Sequence, residues 1–501
     1  MRYRLTDAVL SYAALALLAG LATGETRSRA RDHVNRGAPT TTETAAEAAL
    51  RHDRVADRRS AVEVICHRGA LEFADENTLD AYRATLELGG DGNKIDVRAT
   101  RDGVLVCFHD DMLDRLLEAY GTVRDVDWSE LRSFRFREPH RFGADARVPA
   151  LVEVLELHRQ RAGLVDLDVK EPGLDTAIAE LLDRLDMWDH VAYCNPENAA
   201  AILENPKLRR SRYKACLYRD RSDADPAAID AALEGLGDGV IVEDPRGVLV
   251  ALGRPLGKVS KSPLRTAPSP HSAMTNAEII AELRDADDWN RVAESTEEQA
   301  ASGERILERA RAADLLLAAG AASEEGFDAL EARVRHRSLH KQWVFHGLDG
   351  AMALRSLVRL QAPQAVSTAR DVLWLDDPDL ELVSHSDWNA PRSWTDYRVK
   401  MHVFPSLATL PGPATEQLCR DYLALGDELA RVIGPPQFEE AAHALLAVSP
   451  TTATALELMR HRLRAVRGRA VLDCLSHDNE AWAHAALEAG EPRALAWVVP
   501  Q

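Results

Sequence analysis

The chain has 501 residues, 46% hydrophobic and 28% charged, a balance that excludes an unfolded or fibrous protein and leaves room for two folded domains. Its 80 acidic against 61 basic residues give a formal net charge of −19 at pH 7. That charge argues against nucleic acid as a partner, since phosphate-backbone binding needs a basic footprint, and it means that an anionic substrate must meet positive charge gathered locally.

Arg2 and Arg4 precede an apolar run from Ala8 to Ala22, and Ala22-Thr23-Gly24 offers small residues where a signal peptidase reads. Residues 1–24 are therefore expected to be an export signal that sends the protein to the periplasm or outside the cell. Membrane contact would follow only if the segment stayed uncleaved. Residues 25–60 are rich in Thr, Ala, Arg and Glu without a sustained apolar strand pattern, and are expected to be a flexible linker with room for one short helix.

Strand patterns then appear at 62–66, 93–98, 104–109, 163–169, 190–194, 213–218 and 239–243. Helical patterns alternate with them at 77–88, 127–133, 150–160, 174–186, 196–204 and 226–236. Such alternation implies βαβ units and a parallel α/β sheet. Polar signatures sit at or near the strand ends: His67-Arg68-Gly69, Lys94-Ile95-Asp96, His109-Asp110 and Asp168-Val169-Lys170, with Glu76-Asn77-Thr78 opening the first helix. Residues two apart share a strand face, so Asp166, Asp168 and Lys170 point one way, as do Lys94, Asp96 and Arg98. In a sheet buried on both faces, carboxylates of this kind require a cation or an ion pair. Asn77 or Thr78 is also a competent helix N-cap. The six cysteines form no CxxC pair, and Cys66 and Cys107 read as packing residues.

These residues, with Thr100-Arg101-Asp102-Gly103, resemble the glycerophosphodiester phosphodiesterase family, whose pattern runs His-Arg-Gly, Glu-Asn-Thr, Glu-x-Asp, Thr-x-Asp-Gly, His-Asp, Glu-x-Lys. The resemblance implies a TIM-type (β/α)8 barrel over 61–262, short of a strand here because 218–262 holds no counterpart of the family's late Trp-Thr-Val-Asn-like motif. It also implies His67 and His109 as general acid and base, and a divalent cation, Mg²⁺ or Ca²⁺, on Asp96 and Asp168. Arg68, Lys170, Lys94 and Glu76 would then face the substrate. Lys94 stands where the family has a glutamate ligand, and an ammonium cannot coordinate a cation.

Pro263 to Thr275 is rich in proline and serine and is expected to be an extended linker, the span that limited proteolysis should cut first. Resistance there, or unfolding of both halves together on cutting, would show that the two share a core. Residues 276–501 carry apolar residues at three- and four-residue steps, expected to form an all-α HEAT-like solenoid or a compact bundle that offers a surface to a protein partner. The expected function is an exported, metal-assisted hydrolase of glycerophosphodiesters or phospholipid headgroups. The alternative is a catalytically degenerate barrel that binds phosphate or a headgroup beside a helical interaction scaffold.

Overall fold

The computed structural model describes residues 43–137, 146–211, 214–235, 237–259, 274–284, 296–336, 347–374, 397–425 and 437–476. The expected signal segment at 1–24 and nearly all of the linker at 263–275 lie outside the described residues. No helix among the described residues is long and apolar enough to cross a membrane. The chain divides into two compact units, Met1–Arg219 with Pro226–Arg265, and Asp220–Asp225 with Thr266–Gln501.

The first unit begins with helix α1 (Ala45–Arg59), so the second half of the span read as a flexible linker is ordered. Its start is fixed by a capping box in which Thr44 and Glu47 satisfy each other's backbone N–H groups. Its docking is mostly polar, which is why apolar periodicity gave little sign of it. Buried Arg51 donates to the Asp186 carbonyl at 2.9 Å, and His52 meets Asp189 at 2.7 Å. One apolar residue, Val55, inserts among Ile65, Leu164, Ala192 and Ile241.

Seven strands follow: β1 (Glu63–His67), β2 (Gly92–Ala99), β3 (Leu105–Cys107), β4 (Leu164–Val169), β5 (Val191–Cys194), β6 (Lys214–Cys216) and β7 (Gly239–Val242). Between them run α2 (Leu79–Leu88), α3 (Leu151–Gln160), α4 (Asp175–Leu185) and α5 (Pro226–Glu234), with α6 (Arg246–Ala251) after β7. The curled sheet has the order β5-β4-β2-β1-β7-β6, and its neighbours are parallel. Two expectations need correction. β3 pairs antiparallel with β2 and lies off this path, because its short strand turns straight back from Ala99 through the tight Thr100–Val104 turn. Among the described residues the sheet is an open half-barrel, not a closed eight-stranded one: β7 pairs directly with β1, no strand follows α6, and β5 and β6 do not pair with each other. One backbone hydrogen bond, from Ser211 N to the Ala192 carbonyl, links the approach to β6 with β5.

Both faces of the sheet are buried, as parallel sheets require. Ile95, Val97, Val165 and Leu167 pack outward against Tyr82, Val154, Leu155, Ile178 and Leu182 of the helices. On the other face, Ile65, Leu164 and Ile241 form an apolar floor with Val55, and the same alternation carries His67, Lys94, Asp96 and Asp168 above it. Gly92 permits the close start of β2 beside β4, since a Cβ there would lie 2.0 Å from the Leu164 carbonyl oxygen. The long connection from β3 to α3 has its own core of Phe108, Leu113, Leu117, Trp128, Leu131 and Phe136. A cavity of about 540 Å³, lined by His52, Arg59, Asp186, Trp188 and Lys207 among others, opens beside α1 and the loop that enters β5, away from the C-terminal strand ends.

The second unit is helical: α7 (Asn276–Arg284), α8 (Thr296–Ala318), α9 (Glu324–Arg335), α10 (Leu348–Arg359), α11 (Ala365–Trp374), α12 (Tyr397–Met401), α13 (Val403–Leu407), α14 (Pro413–Leu425), α15 (Phe438–Val448), α16 (Thr452–Met459) and α17 (Arg464–Ser476). Helix α10 is buried from Leu348 to Val358 and packs on α8, α9, α11, α12 and α13. In a solenoid each repeat touches only its neighbours. All five lie within three places of α10 in the chain, so among the described residues these contacts agree with either expected form, a solenoid or a bundle.

Candidate active site

The register of the sheet builds the site. On adjacent strands His67 stands beside Lys94, Lys94 beside Asp166, and Asp96 beside Asp168, so two carboxylates from β2 and β4 lie side by side at the C-terminal strand ends. This is the end at which α/β barrels carry their chemistry. Lys94 is two residues before Asp96 on the same face, and its long stem reaches forward. Its ammonium lies 2.6 Å from Asp96 Oδ1 and 2.5 Å from Asp168 Oδ2. Lys170, just past the end of β4, reaches the same pair at 3.1 and 2.7 Å.

The loop after β1 completes the lining. Arg68 has a left-handed backbone, φ 64°, and Gly69 follows at φ 99°. Gly69 presses against α2, where an added Cβ would lie 2.5 Å from that of Ala81. Such strained backbone collects at functional sites. It directs Arg68 Nε to Asp96 at 3.3 Å and Nη1 to Glu76 at 3.0 Å. Glu76 in turn binds Arg115, whose Nη2 is 2.7 Å away, and Arg115 binds Asp110. Asp110 meets His109 Nδ1 at 2.7 Å, so an unbroken chain of polar contacts runs from Arg68 to His109. Arg98 holds the backbone of His109 as well, donating to its carbonyl at 2.9 and 2.8 Å.

Asn77 and Thr78 divide the two tasks that the sequence left open. Thr78 is the N-cap of α2 and accepts from Ala81 N, whereas Asn77, also at positive φ, donates from Nδ2 to Asp96 Oδ2 at 3.1 Å. Tyr82 donates its hydroxyl hydrogen to Asn77 Oδ1 and fixes that amide.

His67 sits at 8% exposure against the ring of Tyr218, with centroids 3.9 Å apart and planes 17° from parallel. Its Nδ1 is 3.5 Å from Glu243. Burial lowers the His67 pKa below the ordinary imidazole value, and Glu243 opposes the shift only in part, which leaves the ring neutral at pH 7. Burial alone would raise the carboxyl of Asp96, but Lys94, Lys170 and Arg68 hold it well below its usual range. For Glu76 the same contest, with Arg115 and Arg68, ends at about 2. Burial works against the charge on Lys94, yet Asp96 and Asp168 raise its pKa, so it is an ammonium at any ordinary pH. The β1–β2 register sets His67 beside Lys94, and the contacts through Glu76, Arg115 and Asp110 tie His109 to Arg68, so both imidazoles border one cluster.

Tyr218, Glu243, Arg115 and Asn195 were not among the expected site residues. Glu243 had a usable signal, since it ends the apolar run Val240-Ile241-Val242 as His67 ends β1. Arg115 and Asn195, whose Nδ2 is 3.2 Å from Asp168 Oδ1, had none.

The sequence pattern of the "Glycerophosphoryl diester phosphodiesterase family" matches residues 67–190. A Bacillus subtilis protein, the uncharacterized YqiK, is 30% identical over 206 residues, covering 36% of this chain and 84% of its own. The chain belongs to that family. A glycerophosphodiester phosphodiesterase of Caldanaerobacter subterraneus is 33% identical over 137 residues, 26% of this chain. The chain spans about half the length of that relative, 55%. Among solved structures, a glycerophosphodiester phosphodiesterase of Agrobacterium tumefaciens is similar at 24% identity and a TM-score of 0.32, covering 37% of this chain and 98% of that one.

The divalent cation expected on Asp96 and Asp168 does not fit this donor set. All four carboxylate oxygens already receive nitrogen donors: Lys94 on one oxygen of each carboxylate, joined by Lys170 on Asp168, Asn77 on the second oxygen of Asp96, and Asn195 on the second oxygen of Asp168. A hard cation needs about six oxygen ligands, and no group of three or more His, Cys, Asp or Glu side chains suited to a metal is found among the described residues.

Proposed function

We propose that the chain hydrolyses glycerophosphodiesters or phospholipid headgroups, with His67 and His109 as the acid–base pair and Lys94, Lys170 and Arg68 as the positive charge that receives the phosphodiester. The family match supports phosphoric diester hydrolysis as the reaction class. The observation that carries the reading is the pair of imidazoles on one cationic cluster, each with Nδ1 turned to a carboxylate, Glu243 or Asp110. That arrangement fixes the tautomer and leaves each Nε2 for proton transfer.

His67, neutral in its buried setting, takes the proton of the attacking hydroxyl, from water or from the substrate's own glycerol. His109 delivers a proton to the leaving alkoxide. Lys94 and Lys170 offer N–H donors to the phosphoryl oxygens, where negative charge builds as the bond breaks. Export by residues 1–24 and a protein partner for the helical unit belong to the same reading. The bond from Lys94 to both carboxylates favours the second reading, a silent phosphate-binding module. Turnover of glycerophosphocholine, or of an aryl phosphodiester, by the purified chain decides between them. No product in either case, with phosphate still bound, would leave the binding module.

The pH profile tests His67 directly. Activity is expected to fall on the acid side as His67 protonates, with an apparent pKa below the ordinary imidazole value. Glu243 favours the imidazolium, so Glu243→Gln should move this acid limb to lower pH while lowering kcat. An acid limb that stays in place in Glu243→Gln would assign it to another group.

A further inference from the structure

We infer that the Lys94 ammonium is a built-in replacement for the divalent cation, so that this site takes a phosphate monoester or diester anion without any metal. The inference rests on the proposed phosphodiester site and specifies its cation. In the family pattern the position of Lys94 is a glutamate; changing a carboxylate to an ammonium adds two positive charges, the charge of one divalent ion. The cluster therefore has the same net charge without a metal that the family pattern has with one. Geometry agrees with the charge. A single nitrogen bridges carboxylates from two strands, at 2.6 Å to Asp96 and 2.5 Å to Asp168, as a bridging cation would. Its stem is anchored in β2, and the side chain keeps 14% of its surface exposed. An ammonium has three N–H donors. Two are spent on the carboxylates, and among the described residues the third has no protein acceptor, which leaves it for a phosphoryl oxygen.

Two further features make the replacement self-consistent. Arg68 and Asn77 hold the second oxygen of Asp96, so the carboxylate that orients Lys94 is itself fixed. Lys170 shares both carboxylates and provides a second ammonium at the same depth. An incoming divalent ion would have to displace both amines and would meet their repulsion at close range.

Calorimetric titration of the full chain with sn-glycerol 3-phosphate and with inorganic phosphate, in EDTA and again in millimolar Mg²⁺, Ca²⁺ or Mn²⁺, tests this. The expected result is the same affinity, within about twofold, in every condition, and no saturable binding of the divalent ion alone. Lys94→Met should weaken the phosphate ligands at least tenfold, about 1.4 kcal/mol. Lys94→Glu should bind them poorly in EDTA and regain them with Mg²⁺, with at least tenfold tighter divalent binding than the parent chain. Phosphate binding by the parent chain that requires a divalent ion would overturn the inference, as would equal divalent affinity in the parent and Lys94→Glu. Should either variant fail to fold, the titrations of the parent chain still decide. Activity separates the two readings. Metal-independent phosphate binding without turnover removes the hydrolase and leaves the ammonium site, whereas turnover that stops in EDTA removes the ammonium site and leaves the hydrolase.

Discussion

His67→Gln and His109→Gln are each expected to lower kcat/KM for a glycerophosphodiester by about 10²- to 10⁴-fold, the usual worth of a positioned acid or base. Glutamine retains bulk beside Tyr218 and a hydrogen-bonding end near Glu243, so packing at the buried His67 is largely kept. The double variant should be little worse than the poorer single one, because groups that act in one proton-transfer sequence lose their effect together. Binding of sn-glycerol 3-phosphate should change far less than kcat, since charge on the ligand is met by Lys94, Lys170 and Arg68 and not by the imidazoles. Steady-state kinetics and calorimetry on the same preparations check both halves. Activity within fivefold of the parent in either variant would end the two-histidine mechanism.

A comparably large effect, on stability, is expected in the helical unit. Asp349, at the start of α10, is fully buried and meets Arg333 Nη1 and Arg309 Nε, each at 3.3 Å, from α9 and α8. Arg333 is itself fully buried and also donates to the Leu283 carbonyl of α7 at 2.7 Å. Three helices therefore converge on one carboxylate, and Arg333 ties a fourth, α7, to it. Asp349→Ala leaves two buried guanidinium groups without that charge, which costs about 3–5 kcal/mol for a buried pair broken on one side. Asp349→Asn should cost less, because it keeps an acceptor. In urea, the transition of the helical unit should shift to lower concentration by about 1 M or more. An unchanged midpoint for Asp349→Ala would show that water reaches the cluster.

Much of the strand framework was legible. Strand runs fall within a few residues of the observed ones because apolar β-branched stretches bounded by glycine and polar residues leave few alternatives, and period-two alternation sets Lys94 with Asp96, and Asp168 with Lys170, on one face of each strand. The N-terminal helix was not legible in the same way. α1 binds through Arg51, His52 and Arg59, and charged side chains on a helix read as a solvated face until their partners 130 or more residues away are known. Similarly, nothing local marks β3 as antiparallel, or α10 as the helix on which five others pack.

By itself the sequence determined the residue types at the strand ends, their order along the chain, and the departures from the family pattern, a lysine at 94 and an aspartate at 168 where the pattern has glutamate. These are local facts, fixed by covalent spacing and by the alternation of a pleated strand. Only the tertiary structure decided which of those residues meet. Pairing of β1 with β7 brings Glu243 to His67, pairing of β7 with β6 brings Tyr218 there, the folded connection after β3 brings Arg115 to Glu76, and the β2–β4 register sets Asp96 beside Asp168 with the Lys94 ammonium between them. The physical reason is that a charge's role depends on what surrounds it in three dimensions. Burial at this depth makes an unpaired carboxylate costly, and the nearest cation, here a lysine of the same strand, is the one that answers it.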